Sequence, residues 1–157
     1  MIKKVHKTDA EWSELLTPDQ YRVMRQQSTE APLTCELNQY KGDGVFYRAA
    51  CGLPLFKSRA KFESGTGWPS FYEPYVTDHL IVKDDEATLL SGIEVLCAHC
   101  ESYLGHVFGD GPPPTGKRYC INGTAPPLAF WQPSRYSISR RSESEIKTLS
   151  TLPLVPR

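Results

Sequence analysis

Turn-forming residues cut the chain into short pieces from Asp43 onward, and that punctuation limits the fold more than any other feature. Asp43-Gly44, Gly52-Leu53-Pro54, Asp84-Asp85, Ser91-Gly92 and the run Asp110-Gly111-Pro112-Pro113-Pro114-Thr115-Gly116 each mark a turn. Between them lie apolar segments at 45–51, 55–56, 80–82, 93–96, 103–108, 119–121 and 128–131, all of strand length. Thirteen prolines and eleven glycines among 157 residues supply the breaks. Short strands joined by tight turns predict a mainly β chain with antiparallel pairing. Two helices are expected, both near the N-terminus. The first covers 10–16. The second opens at Thr17-Pro18-Asp19-Gln20, where Thr17 caps, Pro18 suits the first helical position and Gln20 completes a capping box, and it ends near Gln27. Residues 30–36 read as an extended connector, because the residue before Pro32 is pushed out of the helical region. Ser64-Gly65-Thr66-Gly67-Trp68-Pro69-Ser70-Phe71 reads as a stiff loop presenting one large ring.

The length fits one domain with a real core. We place that domain at 1–131 and a Ser- and Arg-rich tail at 132–157, with a short helix at 143–149. The last four residues, Leu154-Val155-Pro156-Arg157, resemble the remnant of a cleavable tag. Eighteen basic and eighteen acidic side chains leave no net charge, which removes the electrostatic case for nucleic acid or an anionic membrane as partner. No apolar run approaches the roughly 18 residues of a membrane span. The basic N-terminus has no apolar stretch behind it, so a secretory signal is not expected. Five cysteines, two of them in a Cys-x-x-Cys pair, then point to metal or redox chemistry in a reducing compartment. The expected location is the cytoplasm, or an organellar matrix if a transit peptide has been removed.

The stretch Arg118-Tyr119-Cys120-Ile121-Asn122 carries the clearest chemistry. In a strand, alternate residues share a face, so Arg118, Cys120 and Asn122 point one way. A thiol is a weak nucleophile until it loses its proton, and a guanidinium beside it favours the thiolate. The Asn122 amide can hydrogen-bond a substrate oxygen. A half-buried structural cysteine would satisfy the same five residues.

Further blocks separate the two readings. Ser64–Phe71 as quoted, Leu104-Gly105-His106-Val107-Phe108, Asp110-Gly111-Pro112 and Gly116-Lys117-Arg118-Tyr119-Cys120-Ile121-Asn122 occur in that order, preceded by Gly52-Leu53-Pro54-Leu55-Phe56. Together they closely resemble the type B methionine sulfoxide reductases from about Asp19 to Phe130. The resemblance implies a β-tent: two small antiparallel sheets with about two N-terminal helices. It implies reduction of the R epimer of methionine sulfoxide, free or in proteins, by a monomer that thioredoxin recycles. By position Cys120 matches the catalytic cysteine, and His106, Arg118 and Asn122 match polar pocket residues. Trp68, which receives the substrate methyl group, and Phe108 match the substrate-binding side. The residue types suit the reaction: a soft thiolate attacks sulfur, and an acid near neutral pKa protonates the departing oxygen.

The chain departs from the family pattern at several positions. Thr66 stands where many members carry the resolving cysteine. Tyr103 replaces a histidine three residues before His106, which is expected to weaken one pocket hydrogen bond, and Gly123 replaces a serine. Many members bind structural zinc through two Cys-x-x-Cys pairs. Cys97 and Cys100 form an intact second pair, but in the first only Cys51 remains, with Arg48 in place of its mate. The chemistry needs no cofactor, and a tight zinc site on Cys51, Cys97 and Cys100 is not expected. With those three thiols tied to the zinc region, Cys35 is left as the resolving cysteine, and a cysteine in this arm is used by some relatives that lack the usual partner. We expect the Cys35 connector to pack weakly and to swing. A zinc-ribbon-like binding module would leave Trp68, His106 and Cys120 without a joint role. A thioredoxin-like exchange protein needs a βαβ context that Cys97 lacks.

Overall fold

The computed structural model describes residues 2–83, 91–123 and 128–131. The expected turn at Asp84-Asp85, the tail 132–157, its short helix and its tag-like end lie outside them.

Two capping boxes start the two helices. In α1 (Asp9–Leu15) the Thr8 hydroxyl accepts from the Glu11 N–H, and the Glu11 carboxylate accepts from the Thr8 N–H. In α2 (Pro18–Arg25) Thr17 and Gln20 do the same, with Pro18 at the first position. Each bound falls within one or two residues of expectation. The helices bury Trp12, Val23 and Met24 against the sheets.

All strand pairs are antiparallel, and they form two sheets. The smaller holds β1 (Val45–Arg48), β2 (Pro54–Lys57) and β9 (Leu128–Trp131) in the order β2-β1-β9. The larger holds β3 (Lys61–Phe62), β4 (Ser70–Phe71), β5 (Leu80–Val82), β6 (Ile93–Cys97), β7 (Tyr103–Phe108) and β8 (Arg118–Ile121) in the order β3-β4-β8-β7-β6-β5. The chain is thus mainly β, with two antiparallel sheets and two N-terminal helices, as the sequence predicts. Two details differ. The strand expected over 45–51 stops at Arg48, where residues 49–51 turn and the Gly52 N–H bonds the Arg48 carbonyl at 2.7 Å. Lys61–Phe62 and Ser70–Phe71 are strands rather than loop; at two residues each they carry no alternation to read.

The core lies between the sheets. Phe56 of the small sheet stacks on Phe71 of the large one at 4.3 Å between ring centroids, and Phe46 meets Phe71 edge-on at 5.1 Å. All three are fully buried, each contributing roughly 1.5–3 kcal/mol. Tyr119 and Ile121 of β8 point into this core. Period-two alternation therefore turns Arg118 and Cys120 to the opposite face. In β7 the same register sets His106 opposite Cys120 and Phe108 opposite Arg118. Gly105 is needed here, because a Cβ would strike the Cys120 carbonyl and force the central strands apart.

Candidate active site

On that opposite face the strands floor a cavity of about 180 Å³, lined by Thr29, Trp68, Tyr103, Gly105, His106, Phe108, Cys120, Ile121 and Asn122. Five residues singled out from the sequence meet there: Cys120, His106, Trp68, Phe108 and Asn122. Arg118 stands beside the cavity. Its guanidinium forms a two-pronged ion pair with Asp110 at 2.9 and 3.0 Å and lies 4.2 Å from the Phe108 ring centre. That pair holds the Asp110 carboxyl below its ordinary range.

Burial pushes the Cys120 thiol up. Thr66, the Arg118 charge and Ser70 pull it down without cancelling the burial. The Arg118 charge thus acts on Cys120 in the direction that favours the thiolate, but burial outweighs it, and two of the guanidinium N–H groups are engaged by Asp110. Hydroxyls make a second source of help that the sequence reading missed. Ser70, the cross-strand partner of Cys120, donates to Ser64 at 2.7 Å. Ser64 lies 2.8 Å from the Thr66 hydroxyl, which lies 3.9 Å from Cys120 Sγ. Hydroxyl residues at 64, 66 and 70 are too common in a loop to signal this.

The cavity's outer wall is the connector after α2. Trp68 Nε1 donates to the Glu30 carbonyl at 3.1 Å, the Glu30 N–H donates to Asn122 Oδ1 at 3.2 Å, and the Gly123 N–H donates to the Glu30 carboxylate at 2.8 Å. The Leu33 N–H adds a bond to the Gly67 carbonyl at 2.7 Å. Gly67 has φ +88° and faces Pro32 so closely that a Cβ would clash, so glycine is required on both counts. The expectation of a weakly packed, swinging connector is thus overturned: hydrogen bonds fasten it to two separate parts of the site, the loop at Gly67-Trp68 and the end of β8 at Asn122-Gly123. Glu30 is a buried carboxylate that an extended connector does not foretell, because its partners lie 38 to 93 residues away.

Cys35 is buried at the end of this connector, ahead of a single 3-10 turn. Burial pushes its thiol up, and the carboxylates of Glu30 and Glu36 add to that. Its sulfur occupies the space where a Cβ of residue 123 would sit. Gly123 in place of serine is therefore what lets Cys35 come this close to the end of β8. Tyr103 also differs from expectation. Its hydroxyl lies 3.1 Å from His106 Nδ1, so position 103 keeps a hydrogen bond to the pocket histidine.

The remaining cysteines sit on the turn after β1 (Cys51), at the end of β6 (Cys97) and on the turn that follows it (Cys100). Cys51, Cys97 and Cys100 bring their sulfurs within 4.8 Å of one another, close enough to hold an ion. Cys51 and Cys97 are 3.7 Å apart. A structural zinc site needs a fourth ligand. Arg48, at that place in the sequence pattern, is fully buried, and it donates to the Ser102 hydroxyl at 2.9 Å and to the Tyr103 carbonyl at 2.9 Å. Ser102 in turn lies 2.9 Å from Cys100 Sγ. Arginine cannot ligate, and its Nη1 is buried without a hydrogen-bond partner among the described residues. A four-thiolate zinc centre therefore does not fit these residues. Hydrogen bonds from Cys51 and Cys97 hold the Cys100 thiol low, and the nearby guanidinium adds to them.

Comparison with known proteins agrees with this arrangement. Residues 16–132 match the SelR domain family. The chain is 53% identical over 123 residues to the peptide methionine sulfoxide reductase MsrB of Methanosarcina barkeri, covering 78% of this chain and 87% of that protein. It is 50% identical over 121 residues to the protein of the same name from Pseudomonas fluorescens, covering 77% and 93%. For that of Thiobacillus denitrificans the figure is 51% over 119 residues, covering 76% and 90%. Among the described residues no helix is long and apolar enough to cross a membrane.

Proposed function

Because the chain belongs to the SelR family, that of the type B methionine sulfoxide reductases, we propose that it reduces the R epimer of methionine sulfoxide, free or in proteins, to methionine. The observation that carries this reading is the pairing of Cys120 with His106 across neighbouring strands, on the floor of a cavity that Trp68 walls. The Cys120 thiolate attacks the sulfoxide sulfur. That attack forms an S–S bond; His106 gives a proton to the sulfoxide oxygen, the S–O bond breaks and hydroxide leaves, and the hydroxide then attacks the Cys120 sulfur, breaking the S–S bond and releasing methionine. Methionine sulfur is reduced by two electrons, and Cys120 is oxidised by two to a sulfenic acid. Trp68 offers the substrate methyl an apolar face while the oxygen stays on the His106 and Asn122 side, which distinguishes the two epimers. Arg118 stabilises the thiolate through its charge.

The Cys35 thiol then attacks the sulfenic sulfur, a disulfide forms and water leaves. A dithiol such as thioredoxin reduces that disulfide by exchange, which places the enzyme in a reducing compartment such as the cytoplasm. The position of the Cys35 sulfur over Gly123, three residues from Cys120, supports this assignment. The cycle needs no metal, and the enzyme works as a monomer. The test is incubation with R-methionine sulfoxide and dithiothreitol, with the S epimer as control. Methionine is expected from the R epimer alone; no methionine, or equal yields from both epimers, would sink the reading.

A further inference from the structure

We infer that Tyr103 holds His106 in the tautomer that carries its proton on Nε2, and is thereby a positioning residue for the hydrogen bond that Nε2 gives the sulfoxide oxygen ahead of its protonation. The inference rests on the role of His106 proposed above. A neutral imidazole has one nitrogen that donates and one that accepts, and the partner of the first nitrogen decides what the second does. His106 Nδ1 has such a partner at 3.1 Å, the Tyr103 hydroxyl, and the two rings meet edge to face at 5.8 Å. A phenol carries one proton. Burial keeps it there, because it pushes the Tyr103 ionisation up.

Competing acceptors for that proton are few. Thr29 and Asn122 lie beside the same hydroxyl. The Asn122 oxygen already accepts from the Glu30 N–H at 3.2 Å, and its nitrogen donates to the Leu104 carbonyl at 3.3 Å. Thr29 is both donor and acceptor and can satisfy the tyrosine oxygen instead. An imidazole nitrogen is the strongest base among these groups, so the tyrosine proton goes to Nδ1. The proton of His106 is then on Nε2, which has no side-chain partner among the described residues, in a ring that lines the same cavity as Cys120.

Tyr103 is itself fixed. Its ring is buried, and its carbonyl accepts from the Arg48 guanidinium at 2.9 Å. The opposite main-chain side of His106 carries Glu94, its partner in β6. That carboxylate is occupied by Gln27 at 2.9 Å and by Lys83, so it does not compete for the imidazole.

The test begins with nitrogen-15 NMR of the imidazoles in the wild-type enzyme above the histidine titration range. His106 is expected to show a protonated Nε2 and a bare, hydrogen-bonded Nδ1. Tyr103→Phe removes the hydroxyl alone. It should give a mixture of tautomers and slow the single-turnover oxidation of Cys120 by R-methionine sulfoxide about five- to tenfold, the loss of one hydrogen bond. KM should stay within about twofold, since the methyl-binding face is untouched. A wild-type His106 protonated on Nδ1 would overturn the inference, as would a Tyr103→Phe enzyme with unchanged tautomer and rate. Should Tyr103→Phe fail to fold, the wild-type spectrum still decides. His106→Asn separates the two claims: a normal single-turnover rate in that variant removes His106 as the acid, whereas a slow one beside a normal Tyr103→Phe removes only Tyr103.

Discussion

The molecule keeps its cysteines in two contrasting places. Cys120 lies mid-strand on the floor of an open cavity, with hydroxyls and one guanidinium nearby. Cys51, Cys97 and Cys100 lie on two turns and the strand end between them, facing one another near a buried arginine. By ionisation alone the second group holds the more acidic sulfur, since Cys100 is pulled down and Cys120 is pushed up. Acidity does not make Cys100 the nucleophile. Its sulfur is closed in by two thiols, a serine and an arginine-bound backbone, and no substrate can reach it. In the proposed reaction, access and a proton donor opposite the sulfur select the reactive thiol, and Cys120 lines the cavity with His106 as its cross-strand partner.

The largest effect that can break this contrast is the loss of Cys120. Cys120→Ser should reduce activity with dithiothreitol to background while leaving the melting temperature nearly unchanged; turnover near wild type would move the chemistry to another thiol. Cys35→Ser comes next. It should lose turnover supported by thioredoxin while a single round of reduction still yields about one methionine per chain. Peptide mapping after oxidation should find Cys35 joined to Cys120 in the unaltered protein, and a bridge to any of the other three cysteines would erase the division between the regions.

Arg48→Cys sharpens the contrast from the other side. It supplies the fourth thiol and removes the only buried cation of the cluster. The variant should bind one zinc per chain, measured by elemental analysis after dialysis, and its melting temperature should fall on adding a chelator. The natural protein should hold less than one zinc and show no such fall. Tight stoichiometric zinc in the natural protein would mean that water or Ser102 completes the shell.

The smallest effect concerns pH. A raised Cys120 pKa means less thiolate at a given pH than an ordinary cysteine has. Alkylation of Cys120 by iodoacetamide should therefore rise about tenfold per pH unit and continue to rise past the ordinary thiol range of about 8.5. Arg118→Met removes a charge that favours the thiolate, so it should move the profile further up. A profile that levels off near neutral pH would show a stronger source of activation than the hydroxyls and Arg118 provide.

Much of the site was legible because strands repeat every two residues. Once 118–121 and 103–108 are strands, Cys120 and His106 need only the right register to face each other. The turn at 110–116 sets that register. What stayed hidden depends on distant contacts. Nothing near Cys35 in sequence shows that Leu33 is fastened to Gly67 or Glu30 to Gly123, so a proline-containing polar stretch looked loose. The strand pair at 61–71 escaped because two residues have no period. Tyr103 was judged by what it replaced; its hydroxyl shows its use only when its distance to Nδ1 is known.

The sulfur lodged above Gly123 has a consequence for anyone wishing to move this cysteine-bearing arm into a relative. The thiol and the bare backbone opposite it form a lock-and-key couple: the host must give up its side chain at the position of Gly123 before a cysteine can be seated at the position of Cys35. Grafting the cysteine alone would drive it into a serine and turn it out of its slot. Restoring a serine here would evict the thiol in the same way. The two positions are one transplantable unit, although 88 residues of chain separate them.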